Sequence, residues 1–150
     1  MRGILDMVKT KMKIIFIGVI CLLLLVIVFI LYERAAKKPY AKISKEDITE
    51  VSVIYGGLEP YKLTDQETDR FLELLREIII YQRDDTYVEY NGVGCEGYFC
   101  VKMKNGKELN ITPGNPFFII NKKGYRTEYK PCDKLSQFHY EIREKRIITK

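Results

Sequence analysis

Ile14 to Tyr32 is a run of nineteen residues with no charge, no proline and one glycine. As a helix it would extend about 28 Å, close to the hydrocarbon thickness of a bilayer. Apolar side chains run all round that helix, whereas a helix lying on a soluble core would carry them as a stripe. The run is therefore expected to be a transmembrane helix over residues 14–32, in contact with the lipid bilayer. A basic flank over 1–13 precedes it, a linker over 33–44 follows, and a folded domain fills 45–150. A cleaved secretory signal fits less well. Its apolar core spans about 7–15 residues and ends in small side chains, but here Ala35-Ala36 lies between Glu33-Arg34 and Lys37-Lys38. Cys21 would suit a lipoprotein only with a small residue before it, and Ile20 stands there.

Orientation is less constrained. Arg2, Lys9, Lys11 and Lys13 on one flank face Arg34, Lys37, Lys38, Lys42 and Lys45 on the other, so the positive-inside rule has no asymmetry to act on. Long C-terminal domains translocate largely regardless of charge. Three cysteines in residues 39–150 also suit an oxidising compartment. The expected location is the cell membrane, single-pass, with an extracytoplasmic C-terminal domain.

The net charge of +5 dissolves when the chain is divided. Residues 1–38 hold seven Lys/Arg and two Asp/Glu, while residues 39–150 hold eighteen of each. The basicity belongs to the flanks of the apolar run, and the neutral remainder has no electrostatic footprint for nucleic acid.

Within that remainder, Val51, Val53 and Tyr55 alternate as a half-buried strand does, and Gly56-Gly57 breaks it. Thr64-Asp65-Gln66-Glu67 fits a capping box, followed by Phe71, Leu74, Leu75 and Ile78 at helical spacing, with Leu72 and Ile79 widening the stripe. Tyr87–Tyr90 is read as a further strand and Asn91–Gly94 as a loop. Residues 96–112 form a hairpin around Asn105-Gly106. A two-residue loop would set Met103 opposite Glu108 and Lys102 opposite Leu109. A three-residue loop sets Met103 opposite Lys107, Val101 opposite Leu109 and Phe99 opposite Ile111, which keeps one apolar face. The three-residue loop is therefore expected, with Gly106 left-handed in a G1 bulge. Phe117–Ile120 reads as a central strand. Tyr125, Thr127 and Tyr129 alternate in another, stopped by Pro131. Asp133 caps a last short helix carrying Leu135, Phe138 and Ile142. The fold class expected is α+β, a small antiparallel sheet of four to six strands with one long helix on one face and a short C-terminal helix.

Chemically reactive residues are few. His139 is the single histidine and flanks the last apolar stripe. Cys95, Cys100 and Cys132 lack the close pairs of a zinc site. Extended chain holds the sulfurs of Cys95 and Cys100 roughly 16 Å apart, too far for a disulfide. A meander instead brings Cys95 and Cys132 to one sheet edge, so they are the candidate disulfide, closing a long loop worth about 3–5 kcal/mol. The alternative is three free thiols. Asp84-Asp85 with Glu89 form an acidic cluster that suits a helix-ending loop better than acid–base or calcium chemistry. No phosphate loop or nucleophile elbow is present. The many tyrosines suit a core and rim, or an interface. No catalytic residue, metal site or cofactor is expected.

The apolar run, Leu63-Thr64-Asp65, Lys104-Asn105-Gly106-Lys107, and Phe117–Asn121 before Gly124-Tyr125 together resemble small membrane-anchored proteins of low-GC Gram-positive bacteria. Those pair an N-terminal anchor with a compact α+β domain, and the resemblance implies no activity. The function expected is a non-enzymatic, extracytoplasmic binding or interaction module with a protein or envelope partner. The alternatives are a membrane-tethered envelope enzyme using Cys100 or Asp84/Asp85, and a cytosol-facing regulator of a membrane complex.

Overall fold

The computed structural model describes residues 2–86, 88, 97–114 and 117–148, with side chains in the first helix described for Met12, Lys13 and 15–31. The chain divides into two units, Met1–Ala35 and Ala36–Lys150.

The first unit is one helix, α1 (Arg2–Arg34). Its described large apolar side chains from Ile15 to Leu31 are 42–67% exposed. Among the described residues no helix is long and apolar enough to cross a membrane. The transmembrane segment expected at 14–32, and the single-pass membrane architecture with it, is corrected accordingly.

The second unit is α+β. Its sheet is built from β1 (Ile48–Tyr55), β2 (Tyr61–Lys62), β3 (Ile80–Arg83), β4 (Gly97–Met103), β5 (Glu108–Gly114), β6 (Phe117–Ile120) and β7 (Lys123–Thr127). Its long described helices are α2 (Asp65–Glu77) and α3 (Tyr129–Ile148), and a 3-10 turn at Lys45–Asp47 precedes β1. All strand pairs are antiparallel, in the order β2-β1-β4-β5-β6-β7-β3. β1 and β3 thus lie towards opposite edges although only β2, α2 and short connections separate them in sequence. Lys37 exchanges two backbone hydrogen bonds with Ile80, each 2.8 Å, covering part of the β3 edge.

Local signals explain much of this. Thr64 and Glu67 close the capping box as expected, with the Thr64 N–H donating to Glu67 Oε2 at 2.9 Å and the Glu67 N–H to Thr64 Oγ1 at 3.3 Å. The β4–β5 hairpin has the expected register, Val101 opposite Leu109 and Phe99 opposite Ile111. The Met103 N–H donates to the Lys107 carbonyl at 2.8 Å, and Gly106 takes a φ of 80°. That left-handed value is why glycine stands there.

Three expectations are corrected. The described sheet has seven strands, not four to six. α2 stops at Glu77, with Ile78 extended at φ −60°, ψ 125°. Ile78–Tyr81 is a β-branched and aromatic run, stiff at χ1 and suited to a pleated surface, and its end joins β3 beside β7. The helix lengths are also reversed, thirteen residues for α2 and twenty for α3. α3 begins at Tyr129, ahead of Pro131 and of the cap expected at Asp133. Proline in a helix's first turn breaks no intrahelical bond, since those N–H groups have no partner within the helix. The strand expected at Tyr87–Tyr90 and the Asn91–Gly94 loop lie largely outside the described residues.

The core lies between one face of the sheet and the two helices. Val51, Val53, Phe99, Val101, Ile111 and Phe118 meet Phe71, Leu72 and Leu75 of α2 and Leu135, Phe138 and Ile142 of α3. Phe99 is its centre, 4.6 Å from the Phe71 ring and 6.0 Å from Phe138 in near-parallel stacking.

The turn between β6 and β7 holds Asn121 at φ 48° and Lys122 at φ 66°, the two left-handed residues of a type I′ hairpin. Asn121 suits its place, because its Oδ1 accepts the Asn110 N–H at 2.7 Å. Lys122 has no such compensation and is exposed. Lys122→Gly is expected to raise stability by about 1 kcal/mol through relief of left-handed strain. Chemical denaturation that finds it neutral or destabilising would contradict this.

Candidate functional site

The acidic pair is structural glue. Asp84 Oδ1 accepts the Thr86 hydroxyl at 2.6 Å, and its Oδ2 accepts Arg126 Nε at 2.9 Å. Asp85 accepts Arg83 Nε at 2.7 Å and the Gly124 N–H at 3.0 Å. The Thr86 hydroxyl and Arg126 hold Asp84 below the usual carboxylate range, and Arg83 with the Gly124 N–H does the same for Asp85. Both carboxylates are committed as acceptors that fasten this turn to β7. Glu89 lies outside the described residues. The turn crosses β7 where a Cβ on Gly124 would collide with the Asp84 carbonyl oxygen. Gly124→Ala is accordingly expected to destabilise by about 2 kcal/mol through a forced backbone shift. A shift in thermal midpoint of less than 1 °C would refute it.

The thiols are not poised as nucleophiles. Cys100 is buried on the sheet face opposite the core, beside Ser52 across the ladder, and burial with the Glu108 carboxylate raises its pKa. Cys132 is a free, fully buried thiol whose Sγ donates to the Phe117 carbonyl at 3.6 Å. Burial and Asp133 push it up to about 12. Reactive cysteines require the opposite shift. Its expected disulfide partner, Cys95, lies outside the described residues. No group of three or more His, Cys, Asp or Glu placed to hold a metal occurs among the described residues.

His139 is buried within the core rather than on a helix flank, at 6% exposure. Its ring lies 4.8 Å from Tyr55 and 5.2 Å edge-on to Phe99. Tyr55 donates its hydroxyl to the His139 backbone carbonyl at 2.6 Å. His139 Nε2 has no hydrogen-bond partner among the described residues. Burial, with Arg143 one turn on, lowers the imidazole pKa to about 4, so it is neutral near pH 7.

In front of Tyr55 lies a cleft of about 350 Å³ lined by Tyr55, Gly56, Leu58, Arg143 and Ile147. The β1–β2 turn forms one wall and the last turns of α3 the other. Neighbouring polar groups hold these walls together. Arg146 donates to the Glu59 carbonyl and lies 5.3 Å over the Tyr61 ring. Lys145 pairs with Glu67 at 2.8 Å, and Tyr61 donates to the same carboxylate at 3.0 Å. Burial alone would raise Glu67, but the bonds from Lys145, Thr64 and Tyr61 hold it down at about 2.

The sequence reading did not single out Gly56, Leu58, Arg143 or Ile147 as a site. The spacing His139, Arg143, Ile147 places them on one helix face, which was a readable signal. Which loop that face meets was not readable. No family model matches this chain, and neither a curated protein nor a solved structure matches it.

Proposed function

We propose that this chain is a non-enzymatic binding module whose interaction site is the cleft between the Gly56 turn and the end of α3. The observation that carries the reading is the cleft's composition. It has an open glycine floor, apolar walls from Leu58 and Ile147, and one guanidinium-bearing residue, Arg143. Small recognition sites commonly combine an apolar lining with a few placed polar groups. The chemistry of the titratable groups supports binding over catalysis. Both described thiols of the unit are shifted away from thiolate, and the imidazole is enclosed by aromatic rings. An extracytoplasmic protein or envelope component is the partner class that belongs to this proposal.

A photo-crosslinking residue placed at Ile147 in the full chain, compared with one at Tyr129, tests it. Both positions are exposed, at 53% and 61%. A discrete partner captured in cells from position 147 and not from 129 is the expected result. Capture from neither position, or equally from both, would remove the site.

A further inference from the structure

We infer that the cleft is gated by a proton: charging the His139 imidazole releases the last turns of α3 from the Gly56 turn, so the binding surface exists only while that ring is neutral; this rests on the binding-module reading above. His139 lies one and two turns before Arg143 and Ile147, which line the cleft on the α3 side. It is also joined to the other wall. Tyr55 lines the cleft, its ring lies 4.8 Å from the imidazole, and its hydroxyl donates to the His139 carbonyl at 2.6 Å. Both walls therefore rest on this one side chain.

The surroundings of the ring are hostile to charge. Among the described residues, β1 presents the Tyr55 ring with its committed hydroxyl, and β4 presents the Phe99 ring. α3 itself presents the Tyr140 ring and the Arg143 guanidinium, a like charge. None of these is a carboxylate. Protonation makes both ring nitrogens donors. Nε2 has no hydrogen-bond partner among the described residues, so its N–H would stay buried without an acceptor, at 6% residue exposure. Cation–π attraction from the rings offsets only part of that cost, and the imidazole pKa is lowered to about 4. Release can be local because Ile142 is the last buried residue of α3, and residues 143–148 are half-buried or exposed. Polar contacts such as Lys145 to Glu67 and Arg146 to the Glu59 carbonyl tie that end back. Contacts of this kind contribute little individually, so the end can open while the sheet stays packed.

The test is amide hydrogen exchange followed by NMR on the full chain, prepared without added histidines so that the single imidazole is titrated directly. The released ring titrates near 6.5 and the docked ring near 4. The released state thus binds the proton first, and opening is expected to rise about 30-fold from pH 7.5 to 5. Protection over residues 143–147, corrected for intrinsic exchange, should fall by that factor. It should also lie at least tenfold below that of Val101 and Ile111 in the sheet at both pH values. His139→Leu should hold it constant within twofold. A fall of less than threefold, the same fall in folded His139→Leu, or protection equal to that of the sheet would each overturn the gate. Should His139→Leu fail to fold, the ring titration decides: a value below 5 supports the gate, and one above overturns it. Crosslinking at Ile147, repeated on cell extracts at pH 7.5 and 5, separates the two readings. Capture no weaker at pH 5 removes the gate and leaves the binding module. Capture at neither pH removes the module and the gate with it, whatever the exchange shows.

Discussion

Phe99→Ala is expected to lower the unfolding free energy by about 4 kcal/mol. Phe99 is 0% exposed and touches the rings of Phe71, Phe138 and His139, one from α2 and two from α3. Removing it takes away the lost transfer energy and leaves a cavity where both helices meet the sheet. The backbone on either side is pinned by ladders to β1 and β5, so the site has little freedom to collapse. Net stabilities are only about 5–15 kcal/mol, so the variant should lie near the limit of folding. Guanidinium denaturation followed by tyrosine fluorescence measures this. A loss below about 1.5 kcal/mol would show that Phe99 is not the packing centre. Tyr129→Ala, at an exposed position, is the control and should stay within about 0.5 kcal/mol of the wild type.

Acidification from pH 7.5 to 4 is expected to remove about 3 kcal/mol of stability through His139 alone. The folded imidazole titrates at about 4 and the unfolded one near 6.5. The unfolded chain therefore binds the proton first. The contribution is fully present above pH 6.5, is lost as the pH falls towards 4, and changes no further below that. Glu67, held at about 2, acts in a lower window. Its contribution is present above the unfolded value near 4.3 and fades towards pH 2. His139→Leu keeps the backbone carbonyl that receives the Tyr55 hydroxyl, and it removes the titrating group. Denaturation midpoints of the variant should be nearly flat between pH 6.5 and 4.5 where the wild type falls. Parallel pH profiles for the two proteins would show that the imidazole is not the group responsible.

Local chemistry was legible where it is complete within a few residues. The capping box at Thr64 and Glu67 brings its own donors and acceptors. The Asn105-Gly106 loop type follows from keeping Val101, Leu109, Phe99 and Ile111 on one face, because a one-residue slip moves every side chain to the other side. Asp84 and Asp85 read as a loop, but as one ending a helix, whereas the turn they form follows β3. Those assignments needed no knowledge of what packs against them.

Other features were undetermined until the sheet closed. Ile78 and Ile79 fit a helical stripe as well as an extended segment, and only the place beside β7 favoured the strand that follows. Pro131 reads as a stop signal, but it is harmless in a first turn, so the chain could run on as α3 once Leu135, Phe138, His139 and Ile142 found the core. His139 looked like a flank residue because burial depends on how the helix is rotated about its axis, which the sheet decides. The cleft shows the same division: the face carrying Arg143 and Ile147 was written in the helix spacing, but the Gly56 turn lies more than eighty residues away. The sequence by itself determined the local turns, caps and apolar faces, whose interactions span a few residues; only the tertiary structure decided which faces met, because that energy exists only between segments distant in the chain.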